Sequence, residues 1–356
     1  MARKRVVVGL SGGVDSAVAA LLLKREGYDV IGLFMRNWHE EDESGQCTSD
    51  DDFLDVRRVA DKIGIDYYAL DFSEKYVERV FSHFVEEYKK GRTPNPDVLC
   101  NREIKFDAFS SFAETMEADL VATGHYADVS HGERHLLLRS ADENKDQTYF
   151  LNQITEEQLS RALFPLGALE KGEVRRIAKE AGLPVWEKKD STGICFIGER
   201  NFRKFLASYI PLKRGEIVTT DGKVVGMHDG VFYYTKGQRK GLGVGGGGNG
   251  QPYFVVGKDV PNNRLIVTQG ETELLYSSSL RVDDFHFISE RLPEGESEVL
   301  ARVRHRQPLQ KAVALVEGKK VTLRFEKKQR AVQEGQYAVL YQDRVCLGGG
   351  VIEASE

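Results

Sequence analysis

The sequence predicts an α/β fold: a domain built on a parallel sheet, followed by a small β domain and a C-terminal β-barrel. Three observations carry that reading. Arg5 to Leu10 is a β-branched, apolar run that passes through Ser11, Gly12 and Gly13 into an alanine- and leucine-rich helical stretch, Ala17 to Glu26, ending at Gly27. Short apolar strands and helical runs then alternate. From Gly215 onward the texture changes to short strands separated by glycine-, asparagine- and proline-containing turns. These changes place the domains at 1–206, 207–275 and 276–356.

The elements follow in order. Asp29 to Met35 reads as a second strand, and Leu54, Val56, Val59, Ala60 and Ile63 fit one face of a helix near Asp51 to Ile63. Asp66 to Asp71 is a third strand, Glu74 to Lys90 and Asn101 to Glu117 are helices, and Leu120 to Thr123 is a further strand. Such alternation implies a parallel sheet with crossover helices, whose ligands sit at the carboxyl ends of the strands. Met35 and Gly124 stand at or just beyond two such ends, where adenine and ribose would lie, although core packing also accounts for Met35. Helices return at Glu156 to Leu163, Glu173 to Ala181 and Asn201 to Tyr209.

In the second domain, Thr220-Asp221-Gly222-Lys223 and Pro261-Asn262-Asn263-Arg264 are turn signals, and Gly241 to Gly250 is a glycine-rich loop. Glu298 to Arg306, Ala312 to Glu317 and Lys320 to Phe325 alternate as barrel strands. A regular strand over the first of these puts Arg302, Arg304 and Arg306 on one face and Val303 and His305 on the other.

Composition narrows the function classes. At 356 residues, 41% apolar and 29% charged, the chain reads as an ordinary globular protein that can bury proper cores. The apolar run after Arg3-Lys4-Arg5 is too short for a signal segment and nothing approaches a membrane span, so the expectation is a cytoplasmic protein with no membrane partner. Four irregularly spaced cysteines do not form a disulfide framework; a disulfide is reserved for catalysis. The net charge of -5 does not suggest nucleic acid, yet residues 301–330 hold ten Lys or Arg against Glu317 and Glu326, the kind of patch that contacts phosphates.

Gly9-Leu10-Ser11-Gly12-Gly13-Val14-Asp15-Ser16 is the first chemical motif. Glycines that admit positive φ let successive N–H groups form an anion nest, and the following helix points its positive end at the same place. It is not a Walker A loop, because no lysine reaches for the terminal phosphates. It resembles the PP-loop of N-type ATP pyrophosphatases, which are adenine nucleotide α-hydrolase-like enzymes. Those enzymes grip the pyrophosphate of ATP while an acceptor oxygen attacks the α-phosphate. The bland alternative is a glycine-rich turn that holds nothing.

Two cysteine segments form the second constellation. Arg92-Thr93-Pro94-Asn95-Pro96-Asp97-Val98-Leu99-Cys100 delivers Asp97 and Cys100 at the start of a helix, where Arg102 and Lys105 favour a thiolate and an ionised Asp97 opposes it. Cys195 lies between Lys188-Lys189 and Arg200. Either cysteine, taken alone, is also readable as a packed small hydrophobe. In one adenylating enzyme, however, one can carry sulfur as a persulfide and the other can resolve it by thiol exchange.

These motifs closely resemble the tRNA-specific 2-thiouridylases, the MnmA family, over nearly the full length. Further markers are Gly32-Leu33-Phe34-Met35, Ala122-Thr123-Gly124-His125-Tyr126, Lys145-Asp146-Gln147, Asp190 to Arg200, Gly237 to Gly243 and Cys346-Leu347-Gly348-Gly349-Gly350. The resemblance implies ATP contacts from Gly9, Leu10, Ser11, Gly12, Gly13, Val14, Asp15, Ser16, Met35 and Gly124. It implies base contacts from Asn95, Pro96 and Asp97, nucleophile Cys100 and persulfide carrier Cys195. It further implies tRNA contacts from His125, Lys145, Asp146, Gln147, Arg304, His305 and Gln336. Its expected cofactor is ATP with Mg²⁺, and its partners are tRNA and a cysteine desulfurase or sulfur-relay protein.

Three competing readings have definite marks. Asp97, Cys100 and Cys195 could offer three ligands to an iron-sulfur cluster, but no C-x-x-C pair or four-ligand set is present. An amide-forming PP-loop ligase would need no cysteine pair. A nucleotide-sensing RNA-binding protein would have no need of Asp97, Cys100 and Cys195. Cys47 and Cys346 match no step and read as structural.

Overall fold

The computed structural model describes residues 3–38, 48–190, 202–245 and 250–356. The first strands are β1 (Arg5–Leu10), β2 (Asp29–Arg36) and β3 (Asp66–Asp71), connected through α1 (Val14–Arg25) and α2 (Thr48–Ile63). A helical run follows: α3 (Ser73–Tyr76), a wider-wound turn over Val77–Phe81, and α4 (Ser82–Lys89). Next come α5 (Pro96–Leu99), a second wide-wound stretch over Cys100–Ala108, and α6 (Phe109–Thr115), which form one continuous rod leading to β4 (Leu120–Ala122). The hairpin β5 (Ala127–His131) and β6 (His135–Arg139), α7 (Glu156–Ser160), β7 (Ala162–Leu163), α8 (Lys171–Glu180) and α9 (Phe202–Ala207) complete this part.

The sheet order is β3-β2-β1-β4-β7, with every pairing parallel. Alternation along β1 explains its two covers. Val6 and Val8 pack with Ala20, Leu23, Val56 and Ala60 of α1 and α2, while Val7 packs with Phe109 and Ala113 of α6. The chain builds outward from β1 through β2 and β3, then returns to its other side at β4, so a crevice opens beyond the ends of β1 and β4.

The second part is a four-stranded sheet, β10-β11-β8-β9, formed by β8 (Gly215–Thr219), β9 (Val224–His228), β10 (Tyr253–Asp259) and β11 (Arg264–Gln269). The expected turns join β8 to β9 and β10 to β11, with Gly222 and Asn263 at positive φ. The third part contains β12 (Tyr276–Val282), β13 (His286–Phe287), β14 (Gly295–Arg302), β15 (Gln310–Glu317), β16 (Lys320–Arg330), β17 (Tyr337–Gln342) and β18 (Val345–Ser355). Six of these run in the order β12-β16-β15-β14-β17-β18, and pairing of β12 with β18 closes them into a barrel.

Several expectations need correction. Ala162–Leu163 is not the end of a helix but a short strand along β4; α7 stops at Ser160, although Thr155 and Gln158 form a full capping box at its start. The β5–β6 hairpin, unforeseen in the sequence reading, belongs to the barrel sheet rather than to the parallel one, through Leu138 beside Val345. Leu54 on α2 is exposed, so the buried stripe is Val56, Val59 and Ala60. Strand β14 ends at Arg302, and the chain then turns, with Gln307 N–H donating to the Arg304 carbonyl and Arg306 at φ 64°. The three arginines therefore do not share a face. Arg302 is buried, whereas Arg304 and Arg306 are exposed.

Candidate active site

The loop after β1 closes on itself before it meets a ligand. Ser11 N–H donates to Ser16 Oγ at 3.1 Å, and that hydroxyl donates to the Gly13 carbonyl at 3.2 Å. Only Gly12 takes positive φ, at 74°, while Gly13 is extended, a correction to the expectation for both. A Cβ on Gly12 would lie 2.6 Å from the Asp52 carbonyl oxygen, so the position requires glycine for space as well as for φ. Among the described residues no side chain caps α1 at Gly13, so its first-turn N–H groups, with the helix dipole behind them, suit an anion. Gly124 lies against this turn: a Cβ there would come within 2.7 Å of Ser16 N. Met35 Cε is 3.4 Å from the Cβ position of Gly9, at the same end of the sheet.

Charged groups from far along the chain surround the loop. Asp15 Oδ1 accepts from Tyr126 OH at 2.9 Å and from Lys171 Nζ at 2.6 Å. Lys171 also reaches Asp190 at 2.8 Å, and Asp190 in turn holds Lys145 and Arg175, each at 2.7 Å. Burial alone would raise the Asp190 carboxyl, but hydrogen bonds from Lys145 and Lys171 outweigh it and keep the group well below the usual carboxylate range. Lys188 Nζ donates to the Gly12 carbonyl at 3.1 Å and to Asp52 and Asp55 at 2.7 Å each. The sequence marks neither Lys171 nor Arg175; Tyr126 stands in it only as the end of the Ala122–Tyr126 marker, and Lys188 and Asp190 only as flanks of Cys195.

Asp97 and Cys100 lie one turn apart on the helical rod that begins at Pro96. Pro96 is the first helical residue rather than a loop breaker, and Asn95 caps the helix by accepting from Asp97 N–H at 3.2 Å. Cys100 is 1% exposed and packs among aromatic residues of α3, α4 and α9. Burial raises the Asp97 carboxyl, with Lys105 opposing. Lys105 also lies 3.4 Å from His125 Nε2, and Thr123 Oγ1 is 2.8 Å from His125 Nδ1. Burial first, and Lys105 second, keep His125 neutral. Lys105 thus links the segment touching the phosphate loop to the turn carrying Asp97.

The other two parts of the molecule grip the same turn. Gln336 donates to the carbonyls of Thr93 at 2.9 Å and Pro94 at 3.3 Å, and its own oxygen accepts from Asn95 at 3.4 Å. Thr93 N–H donates to the Glu334 carbonyl, and Lys258 of the second domain donates to the Gly91 carbonyl at 2.7 Å. His305 turns inward, its ring centroid 4.3 Å from that of Phe150. Asp146 is buried and accepts from Arg302 at 2.5 Å, while Gln147 exchanges hydrogen bonds with the backbone of Tyr126.

Cys195 and Cys47 lie outside the described residues. Cys346 is buried and reduced, and burial lifts its thiol far above the usual range, which suits an inert packing residue. Among the described residues no group of three His, Cys, Asp or Glu is placed to hold a metal ion, and no helix is long and apolar enough to cross a membrane.

The nest at the switch point of a parallel sheet, joined to a small β domain and a closed barrel, defines a PP-loop nucleotide-utilising protein of the HUP type. Models of the tRNA methyl transferase HUP domain, the tRNA methyl transferase PRC-barrel domain and the aminomethyltransferase β-barrel domain match residues 4–199, 203–269 and 277–352. The tRNA-specific 2-thiouridylase MnmA of Alkaliphilus oremlandii is 55% identical over 98% of this chain and 97% of its own. That of Geobacillus thermodenitrificans is 56% identical over 98% and 94%. The chain belongs to the tRNA-specific 2-thiouridylase family. A solved U34-tRNA thiolase from Methanococcus maripaludis, NcsA with its [4Fe-4S] cluster, overlaps 59% of this chain and 66% of its own at 18% identity and TM-score 0.36.

Proposed function

We propose that the chain catalyses ATP-dependent 2-thiolation of the wobble uridine of tRNA, giving 2-thiouridine, AMP and pyrophosphate. One observation carries the reading. The Gly124-His125 segment abuts the phosphate loop on one side, and Lys105, 3.4 Å from His125 and acting on the Asp97 carboxyl, joins it to the helical turn that carries Asp97 and Cys100.

The uracil 2-oxygen attacks the α-phosphorus of ATP, the bond to the bridging oxygen breaks, and pyrophosphate leaves into the nest. Cys195, loaded by a cysteine desulfurase or relay protein, carries the incoming sulfur as a persulfide. Cys100 attacks the inner persulfide sulfur, releasing sulfide and leaving a Cys100–Cys195 disulfide; sulfide adds at C2 and AMP departs. External thiol restores the cysteines. Asp97, its carboxyl raised by burial, is able to hold a proton at C2 chemistry's edge. The Asp15 carboxylate, its Oδ1 engaged by Tyr126 and Lys171, would hold the Mg²⁺ that accompanies ATP, and the ion would supply neutralisation of phosphate charge. A wobble base in a single-stranded loop is extruded at low cost. The barrel, residues 276–356, presents Arg304 and Gln336 to tRNA, with His305 shaping the same edge.

Mass spectrometry of tRNA incubated with protein, ATP and a persulfide donor tests this. Wild type should thiolate uridine. Cys100→Ser should still accept a persulfide at Cys195 without turning over, and Cys195→Ser should accept none. Thiolated tRNA from the Cys100→Ser, Cys195→Ser double variant would refute the sulfur pathway.

A further inference from the structure

Lys258 breaks the pattern of its strand. Strand β10 carries a bulge between Val255 and Gly257, which shifts the alternation by one residue and sets Lys258 opposite Leu265, a core residue of the second domain. Side chains directly opposed across two strands project from the same face, so a lysine takes the core side at the end of this sheet. An ammonium is unfavourable there unless its head finds a partner. Burial pushes it down to about 8, with the charge of Glu334 opposing, and Nζ donates across the domain boundary to the Gly91 carbonyl at 2.7 Å. Gly91 is where α4 ends. Its N–H closes the helix on the Tyr88 carbonyl at 2.8 Å, it stands at φ 82°, and a Cβ there would lie 2.5 Å from Val260 Cγ2. The Lys258 ammonium therefore sits at the negative end of a helix, on the last residue before the chain turns through Arg92, Thr93 and Pro94 to Asn95 and Asp97. Past Gly91 the barrel takes hold: Arg92 reaches Glu353 and the Ile352 carbonyl, and Thr93 pairs with Glu334 and Gln336.

We propose that Lys258 is a positioning residue for thiolation: it fixes the hinge between α4 and the turn, so that the second domain sets where Asn95, Pro96 and Asp97 meet the wobble uridine. The inference rests on the 2-thiolation reading above. In this role Lys258 touches neither nucleotide nor base and transfers no proton. With the barrel holding one end of the turn and Lys258 the other, loss of the lysine frees the glycine hinge while the barrel contacts remain. A displacement of about 1 Å at a reacting group can cost on the order of a hundredfold in rate, which gives one remote hydrogen bond leverage over the chemistry.

Lys258→Met keeps an unbranched stem and removes the donor. Single-turnover thiolation of tRNA by the full-length variant should slow roughly tenfold, while affinities for tRNA and ATP and persulfide loading of Cys195 stay as in wild type. Lys258→Arg should recover most of the rate. Hydrogen exchange read by mass spectrometry should quicken at the amides of Thr93 and Asp97, which the turn holds in hydrogen bonds, and not at the phosphate loop. Lys258→Gln, too short to reach Gly91 but polar enough for a half-buried place, repeats the measurement if Lys258→Met does not fold. A wild-type rate in either folded variant would overturn the assignment, as would exchange raised across the second domain's sheet with none gained at residues 91–97. Wild-type protein separates the two levels. If it leaves uridine unthiolated, the 2-thiolation reading fails and the assignment with it; if it thiolates and a folded Lys258→Met matches it, the Lys258 assignment alone fails.

Discussion

Asp146 and Asp190 are both carboxylates gripped by cations from distant parts of the chain, but water reaches only one of them. The Asp146 side chain is 0% exposed and its partner Arg302 5%, and Thr148 completes the set. Asp190 is 34% exposed, and its partners Lys145 and Arg175 are similarly open. A dry pair cannot exchange partners without stranding a charge, whereas a wet one is screened and can re-pair. The dry pair fastens the barrel to the sheet domain; the wet pair lines the mouth of the phosphate loop. A triphosphate can therefore rearrange the second without loosening the first.

The comparison can be broken by deleting each carboxylate. Asp146→Ala should cost about 3–5 kcal/mol by leaving Arg302 buried and unpaired. Asp190→Ala should cost about 1 kcal/mol or less. Urea denaturation of both variants checks this, and equal losses would erase the distinction.

A smaller effect separates the arginines that follow Arg302. Because Arg304 and Arg306 are exposed past the end of β14, replacing both by Ala should weaken tRNA binding and flatten its salt dependence by roughly one unit of slope per lost phosphate contact. ATP affinity and thermal stability should stay as in wild type. Titrations at several salt concentrations decide it, and an unaltered slope would move the tRNA surface elsewhere.

The smallest expected effect sharpens the same contrast through pH. Burial first, then Arg306 and Arg302, push His305 from 6.5 down to about 4, and its buried Nδ1 has no hydrogen-bond partner among the described residues. Folding therefore keeps the ring neutral, while the unfolded chain takes up a proton between those values. Stability should fall as pH drops from 6.5 toward 4, and His305→Gln should remove that part of the slope. Asp190, held ionised in the folded protein, should add its own loss only toward the lower end of the window, where the unfolded carboxylate begins to protonate below about pH 5. Denaturation midpoints of the two proteins across the window provide the check.

Local chemistry made much of the site legible. The strand, small-residue loop and helix at Arg5–Arg25 are set by residues adjacent in sequence, and so are the Asn95 cap on the helix that begins at Pro96 and the one-turn spacing of Asp97 and Cys100. What escaped depends on pairing between distant segments. The β5–β6 hairpin has no local mark telling which sheet it will join. The arginine row was misplaced because a regular alternation was carried past Arg302, where the Gln307 side chain accepts from Val303 N–H at 3.0 Å in place of a neighbouring strand.

The sequence by itself determined the three-part fold class, the phosphate nest and the cysteine turn, because each rests on backbone preferences and side-chain periodicity acting over a few residues. Only the tertiary structure decided which charges serve the nest. Lys171, Lys188 and Asp190 lie more than a hundred residues from Gly12 and Asp15, and Gln336 lies farther still from the Asn95 it holds. An ion pair or side-chain hydrogen bond carries no signal along the chain; it exists only once the sheet, the helices and the barrel have packed and brought its partners within reach.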